Sequence, residues 1–460
     1  MNHFSKPQIE QLAPDASSLK AGKDLAHLAK WVTLGVSQRA LWGEVQGSGK
    51  NPYQTQVDGN STAFKCSCPS RKFPCKHGIG LLFLFADYAA KFQNTPDEPA
   101  WVKEWMDKRQ EKAEKIEKIE KEDPSVSESK NDDSEQKKAK QKAKTQEDRL
   151  TNVQSGAAEL DLWLKDLLRN GFLSVPEKGA AYFEKTAARM VDAKATGLGN
   201  FVRGFNKINY YTGKHWHSDV LELVVKAFLT LEGFKNLEKL STENAGIGDD
   251  IKNLVGWSAK QKELLEDENA ENVTDNWLTL ARMTEREDDL TIQRHYLFGL
   301  NTHRFALILD FAYKNIALPT LLIPATATRA TLVFQPSNAV FRRAFIKNQG
   351  ANSPLISSEY QPLQNWTAAQ HDIVQHLKKF PWADDFPQIV ADLTLATDGN
   401  AWFLRDTEGS ILKLNPQFLE EKIWQLLAVS GGIAKTFAIL RTGETALPLG
   451  IFEETTYNIL

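Results

Sequence analysis

The sequence predicts an α+β chain of unlike parts: a small ββα-like knuckle closed by a metal, a charged flexible linker, a mainly helical body, and a C-terminal part containing antiparallel strands. Three observations carry that prediction. All 3 cysteines of the 460 residues, Cys66, Cys68 and Cys75, fall within ten positions, and His77 follows two residues on. A run of alternating charge begins after Val102 and contains few apolar residues beyond Ile119. Apolar residues then recur at helical spacing and give way after Gln293 to β-branched and aromatic runs bounded by Pro and Asn. These shifts set the expected boundaries: 1–101 with a knuckle core at 53–92, a linker at 102–149, a helical domain at 150–290, and an α+β domain at 291–460.

Composition narrows the setting. Three cysteines cannot pair off internally, and a chain of this length buries a large core without disulfide staples. The opening residues MNHFSKPQIEQLAPD lack the pattern of a secretory signal. The longest apolar patch, Gly78 to Phe92, is interrupted by Asp87 and is too short to span a bilayer. The expectation is a soluble, cytoplasmic chain with no membrane partner. In a reducing compartment, clustered Cys and His read as a metal site or as catalytic thiols before disulfides.

The stretch FKCSCPSRKFPCKHG, Phe64 to Gly78, has the spacing Cys-x-Cys, six residues, Cys-x-His. Cys66 and Cys68 are two apart, so on an extended strand they face one side. Pro69-Ser70-Arg71-Lys72 has turn chemistry. Beyond His77, the residues Leu81, Leu82, Phe85, Ala89 and Phe92 recur at helical spacing, which puts the second pair where a helix begins. Zinc favours such soft and borderline donors in a tetrahedron. A redox role for the thiols is weaker, because no Cys-x-x-Cys opens a helix. A catalytic metal normally keeps an open position, whereas here four donors arrive together.

Cys-x-Cys followed by Cys-x-His resembles the SWIM zinc finger, and CSCPSRKFPCKH is similar to its bacterial branch. The resemblance extends to Trp42-Gly43, Gly47-Ser48-Gly49, Asn51-Pro52-Tyr53 and Val57-Asp58, and to WLKDLLRNGF and AARMVDAKATGLGNFVR further on. It implies one structural zinc ion bound by Cys66, Cys68, Cys75 and His77. It implies no reaction. Such fingers are described as binding DNA or proteins. The resemblance also suggests relatives that work beside AAA+ ATPase and von Willebrand A-type proteins.

Lys65, Arg71, Lys72 and Lys76 surround the cluster. They could contact nucleic-acid phosphates, with Phe73 as a stacking face. They could equally balance the charge of three thiolates on one zinc ion. The net charge of −3 gives nucleic acid no support from the whole chain.

The remaining elements follow in order. Ala40 to Val45 and Tyr53 to Val57 read as extended, joined by a Gly-Ser-Gly loop. That loop is a turn and not a phosphate loop, because Glu44 and Asn51 stand where the motif needs Gly and Ser or Thr. In the charged run, residues through Glu122 fit a solvated helix, Pro124 ends it, and Ser125 to Glu147 is too polar to order. The lysine block from Lys137 to Lys144 is a candidate contact for an acidic partner. Leu160, Trp163, Leu164, Leu167 and Leu168 form an apolar stripe ended by Gly171. Tyr182 to Asp192, Val220 to Leu231 and Asp275 to Thr284 read as further helices, the second apolar nearly all round and so expected to be buried. Ser258 and Gln261 have capping-box spacing. Phe305 to Phe311, Pro319 to Pro324 and Ala330 to Gln335 read as strands. Thr367 to Lys378 and Phe418 to Leu427 read as helices. Asp398-Gly399 marks a hairpin between Leu393–Ala396 and Ala401–Arg405.

No local signal argues for catalysis or for a small-molecule substrate. His215 and His217 could share a strand face but lack a third ligand. Glu285 to Asp289 reads as a solvated helix end. Ser430-Gly431-Gly432 lacks the Gly-x-Ser-x-Gly context, and the spacing of His371 and His376 does not pair them on a helix. The expectation is a non-enzymatic, zinc-containing binding protein whose finger engages DNA or another nucleic acid, or alternatively a scaffold for protein partners.

Overall fold

The computed structural model describes the chain except residues 1–5, 15, 48–50, 60–62, 71, 73, 96, 109–131, 212, 214, 288–289, 314–321, 354–359 and 454–455, with backbone alone at 7, 11, 132–148, 286–287, 351–353, 417 and 419–421. The chain is α+β, as the sequence predicts, and its strands form three separate sheets. No helix among the described residues is long and apolar enough to cross a membrane.

The N-terminal unit begins with helices α1 (Lys6–Leu12) and α2 (Ala16–Leu25). Strands β1 (Trp31–Val36), β2 (Ala40–Val45), β3 (Tyr53–Asp58) and β4 (Phe64–Cys66) follow as an antiparallel meander. Helix α3 (Lys76–Tyr88) crosses it, and the short β5 (Gln93–Asn94) pairs with β1 to complete the order β4-β3-β2-β1-β5. The expected ββα knuckle is therefore β3, β4 and α3, built into a five-stranded sheet. Helix α3 is buried from His77 through Phe85 and packs with Ile9, Leu12, Leu41 and Val57. A core of that size gives the unit stability beyond what the metal contributes.

The charged run differs from the expected linker at both ends. Residues 100–108 are helical (α4), and Val102 and Met106 bury themselves against Ala40 and Trp42. Arg39 ties this helix down, bonding Glu98 at 2.7 Å and Asp107 at 2.8 Å. Residues 109–131, including Pro124 and the start of the stretch expected to lack order, lie outside the described residues. From Asp132 the backbone is helical: α5 runs Asp132–Asn170 and takes in the lysine block. The physical reason is propagation. Val153, Leu160, Leu164 and Leu167 are buried in the bundle and nucleate the helix, and the Glu-, Lys-, Gln- and Ala-rich run ahead of them extends it cheaply.

Helices α5, α6 (Gly179–Asp192), α7 (Thr196–Gly204), α8 (Trp216–Lys235), α9 (Leu237–Glu243), α10 (Ala245–Val255) and α11 (Gln261–Glu266) make the helical body. Its core gathers Leu160, Leu164, Phe183, Met190, Val202 and Val224. Gly171 ends α5 at φ +73°, where a side chain would be strained. Helix α8 departs from expectation. Val220, Val224, Ala227 and Leu231 are buried, but Leu221, Val225, Phe228 and Leu229 are 43–49% exposed. Its apolar character all round covers a core stripe and an open stripe. Helix α11 starts after Lys260 rather than at Ser258, with the Glu263 carboxylate accepting from the Lys260 N–H at 3.3 Å.

The segment Asp275 to Thr284 is a strand, not a helix. It belongs to β6 (Asn272–Glu287), which with β7 (Leu290–Gly299), β8 (Phe305–Tyr313), β9 (Ala327–Phe334) and β10 (Arg342–Ser353) closes a five-stranded barrel. Trp277 fills the barrel interior while Leu278 and Leu280 pack outward on the next sheet. Burial on both faces erases the period of two that marks a half-exposed strand. The helical domain thus ends near Glu266, short of the expected 290, and the acidic cluster starting at Glu285 ends a strand. Of the run Pro319 to Pro324, residues 319–321 lie outside the described residues and 322–324 are not strand.

Helix α12 (Trp366–Lys379) leads to the last sheet, made of β11 (Asp385–Thr397), β12 (Trp402–Arg405), β13 (Ile411–Leu414), β14 (Lys435–Thr442), β15 (Thr445–Phe452) and β16 (Tyr457–Ile459). Helix α13 (Pro416–Ser430) packs on it, and Gly399 turns the β11–β12 hairpin at φ +88°. Its strands β11, β14, β15 and β16 share a core with the barrel, and the Tyr457 hydroxyl donates to the Leu280 carbonyl at 3.1 Å. The N-terminal unit also docks on the barrel. Ile323 is fully buried in the core of the finger unit, and Gln8 donates to the Pro324 carbonyl at 3.1 Å. The finger is therefore held against the barrel, not only tethered to it.

Candidate metal centre

Strand β4 ends at Cys66, Cys68 follows in a bend, Cys75 is the N-cap of α3 and His77 lies in its first turn. The Ser67 N–H donates to the Gln54 carbonyl, and the Gln54 N–H donates to the Ser67 hydroxyl, both at 2.9 Å. Those bonds continue the β3–β4 ladder past Cys66 and fix where Cys68 emerges.

The three sulfurs and one imidazole nitrogen lie within 4.8 Å of one another. His77 Nδ1 is 3.7 Å from the Cys66 sulfur and 3.9 Å from the Cys75 sulfur. A tetrahedral zinc with Zn–S of about 2.3 Å and Zn–N of about 2.0 Å has S···N edges of about 3.5 Å. The donor atoms are thus spaced as edges around a single ion. The Tyr53 ring, 5.2 Å from that of His77, covers the imidazole. Cys75 and His77 are buried, and Cys66 and Cys68 are half-buried.

The protonation of the metal-free donors shows what the site demands. Hydrogen bonding to Cys68 and then Cys75 pushes the Cys66 thiol far up. The same contacts, from Cys66 and then Cys75, hold the Cys68 thiol far down as a thiolate acceptor. Burial opposes a charged His77 ring, but the hydrogen bonds the ring donates to the Cys68 and Cys75 sulfurs outweigh it and raise the ring to about 9. Electron-rich donors this close hold protons where a cation belongs, and zinc replaces those protons.

The SWIM zinc finger family model matches residues 53–84, the segment that carries all four donors. The chain carries a SWIM-type zinc finger. The model of the SWIM-associated four-helix bundle domain matches residues 148–254, the helical body. Neither the curated proteins nor the solved structures compared with the chain gave a match. Cys66, Cys68, Cys75 and His77 hold one zinc ion, and their number fills a tetrahedron.

The surrounding cations sit outside the donor shell. Lys65 and Lys76 are exposed, each next in sequence to a ligand that faces inward, and among the described residues neither is in an ion pair. Glu104 on α4 lies within electrostatic reach of Lys65. Lys72 is exposed and donates to the Ser17 hydroxyl at 3.0 Å. Arg71 and Phe73 lie outside the described residues.

The other sequence candidates do not assemble. His215 and His217 stand at the start of α8 rather than on a strand, and His217 stacks on Trp216 at 3.5 Å. His371 contacts Gln375, and His376 lies 3.3 Å from Asp372. Sequence reasoning missed a buried polar group in the barrel. His295 is fully buried with both ring nitrogens unpartnered, 3.9 Å from Asp310 and paired across strands with Arg282. The available signal was polar residues alternating along β7, as in Gln293 and His295.

Proposed function

We propose that this chain is a non-enzymatic, cytoplasmic nucleic-acid-binding protein whose finger uses zinc for structure and docks on phosphates through Lys65, Lys72 and Lys76, with Arg71, the sequence neighbour of Lys72, as a further candidate contact. The observation that carries the reading is the outward placement of Lys65 and Lys76. Cations needed only to neutralise the sulfurs would fold back onto the metal shell, and these two are exposed. Zinc filled by four protein donors leaves no position for a substrate, which supports a binding role over a catalytic one.

A salt titration tests it. Labelled DNA and RNA are bound to the zinc-loaded protein and to a Lys65→Ala, Lys76→Ala variant. The expected outcome is affinity that falls with salt, and a slope that drops by about 1 for each phosphate contact removed. Equal slopes for the two proteins would refute the finger as the contact.

A second reading rests on the open stripe of α8. Leu221, Val225, Phe228 and Leu229 lie on one side of the helix at intervals of four, three and one. Exposed apolar side chains at such spacing suit a helical protein partner. This supports a scaffold role for the helical body, compatible with nucleic-acid binding by the finger.

A further inference from the structure

Three folding units meet at a cavity of about 640 Å³. The helical body contributes the start of α10, the barrel contributes the β7–β8 turn and the loop entering β10, and the C-terminal part contributes the end of α12. The cavity's first lining residue, Asn244, lies well beyond the finger in sequence, and the cavity shares no residue with the metal centre. Clefts of this size between domains are common ligand sites.

Its walls are cationic. Arg304, Arg342, Lys378 and Lys379 all line it. Both arginines reach the Glu271 carboxylate at 2.6 Å, so two guanidinium groups share one negative charge. Each also lies over the Phe334 ring, at 4.6 and 4.9 Å from its centre, which fixes both in place. Each spends one nitrogen on Glu271, Arg342 gives a second to the Ser337 carbonyl at 3.5 Å, and a guanidinium offers five N–H donors. Lys378 and Lys379 are exposed, and among the described residues neither has an ion-pair partner. Four cations stand against the Glu271 carboxylate and the Asp250 carboxylate behind Asn338, which leaves an excess of positive charge at the cavity.

The remaining lining adds direction. Asn338 is held by its N–H bonding to Asp250 at 3.1 Å. His303 sits at φ +55°, an uncommon conformation for a residue with a side chain, at the cavity rim. Ile247, Phe305 and Val340 give one wall an apolar surface. A preorganised guanidinium pair, two unpaired ammonium groups and an apolar wall match a phosphorylated small molecule with an apolar or planar portion.

We infer that this inter-domain cavity binds a phosphate-bearing small molecule, gripped by Arg304, Arg342, Lys378 and Lys379. Because all three units contribute, occupancy holds them together and stabilises the folded chain by mass action.

Calorimetry on the full zinc-loaded chain tests this, with pyrophosphate and adenosine triphosphate as probes. The expected result is saturable binding of pyrophosphate and a rise in melting temperature. Tighter binding of adenosine triphosphate would show use of the apolar wall and support the assignment. The Lys378→Glu, Lys379→Glu variant reverses two exposed charges and should weaken both probes by about tenfold or more. The milder Lys378→Gln, Lys379→Gln variant should fall between. Absence of saturable binding at millimolar probe would overturn the inference, as would equal binding by wild type and both variants. If only an oligonucleotide binds, and the lysine variants lose it, the cavity is a phosphate-backbone track and the small-molecule assignment is wrong. The finger variant tested above should bind pyrophosphate normally, so failure of one assignment leaves the other intact.

Discussion

Gly78 and Phe64 pack so closely that a Cβ on Gly78 would stand 2.7 Å from the phenyl Cδ1. Gly78 follows the ligand His77, and Phe64 precedes the ligand Cys66 by two. The helix and the strand that deliver zinc donors meet at this contact. Gly78→Ala should therefore force the two apart. We expect a loss of about 1–3 kcal/mol from overpacking, with faster zinc release to a chelator. Unchanged release kinetics would mean that the strand and helix are positioned elsewhere.

Removing a ligand separates the metal's contribution from that of the core. Cys75→Ser should abolish stoichiometric zinc binding. Hydrogen exchange should then rise over 53–84, while the buried helices of the bundle, including Leu160, Phe183 and Val224, stay protected. Loss of protection throughout the bundle would show that the metal organises far more than the finger.

Docking of the finger on the barrel depends on Ile323, which is fully buried in the N-terminal core. Ile323→Ala should cost about 2–5 kcal/mol. Thermal unfolding, followed by zinc release and by far-ultraviolet dichroism, should split into two steps. A single coincident transition would contradict the proposed role of this contact.

Acid sensitivity follows from His295. Burial, with Arg282 adding to it, pushes the imidazole down from 6.5 to about 3. Asp310 and Gln293 face it from β8 and its own strand. The unfolded chain takes up a proton near 6.5, while the folded barrel refuses it until about 3. The stability from this group is complete above the unfolded value and drains as pH falls through that window. Asp275 adds a lower limb. Burial opposes its charge, but bonds from Thr302, Asn301 and Asn276 outweigh that and hold its carboxyl below the ordinary range. His295→Gln should flatten the loss between pH 6.5 and about 3 and leave the lower limb in place. An unchanged acid profile would remove His295 from the account.

The finger was legible because cysteine is scarce here: with only three, their spacing stands out against the whole chain. Helices with one apolar stripe, such as that of Leu160 and Leu164, were equally plain. Strand β6 was not, because Trp277 and Leu278 are buried on opposite faces and the alternation vanishes. The open side of α8 was hidden for the converse reason, since Val224 and Val225 look alike in sequence and only packing distinguishes them. The cavity could not be read at all. Arg304, Arg342 and Lys378 are distant along the chain, and the barrel that brings the first two to Glu271 was itself unseen. From Asp132 the polar tract before Leu150 is helical against expectation, because composition reports what a segment can bury, not the helix it extends.

The central claim is a closed, structural zinc site made of Cys66, Cys68, Cys75 and His77. X-ray absorption at the zinc edge of the full chain tests it most directly. The account predicts three sulfurs at about 2.3 Å and one nitrogen at about 2.0–2.1 Å, with no oxygen ligand. A shell containing a water oxygen, or fewer than three sulfurs, would contradict it and reopen the finger as a site of chemistry.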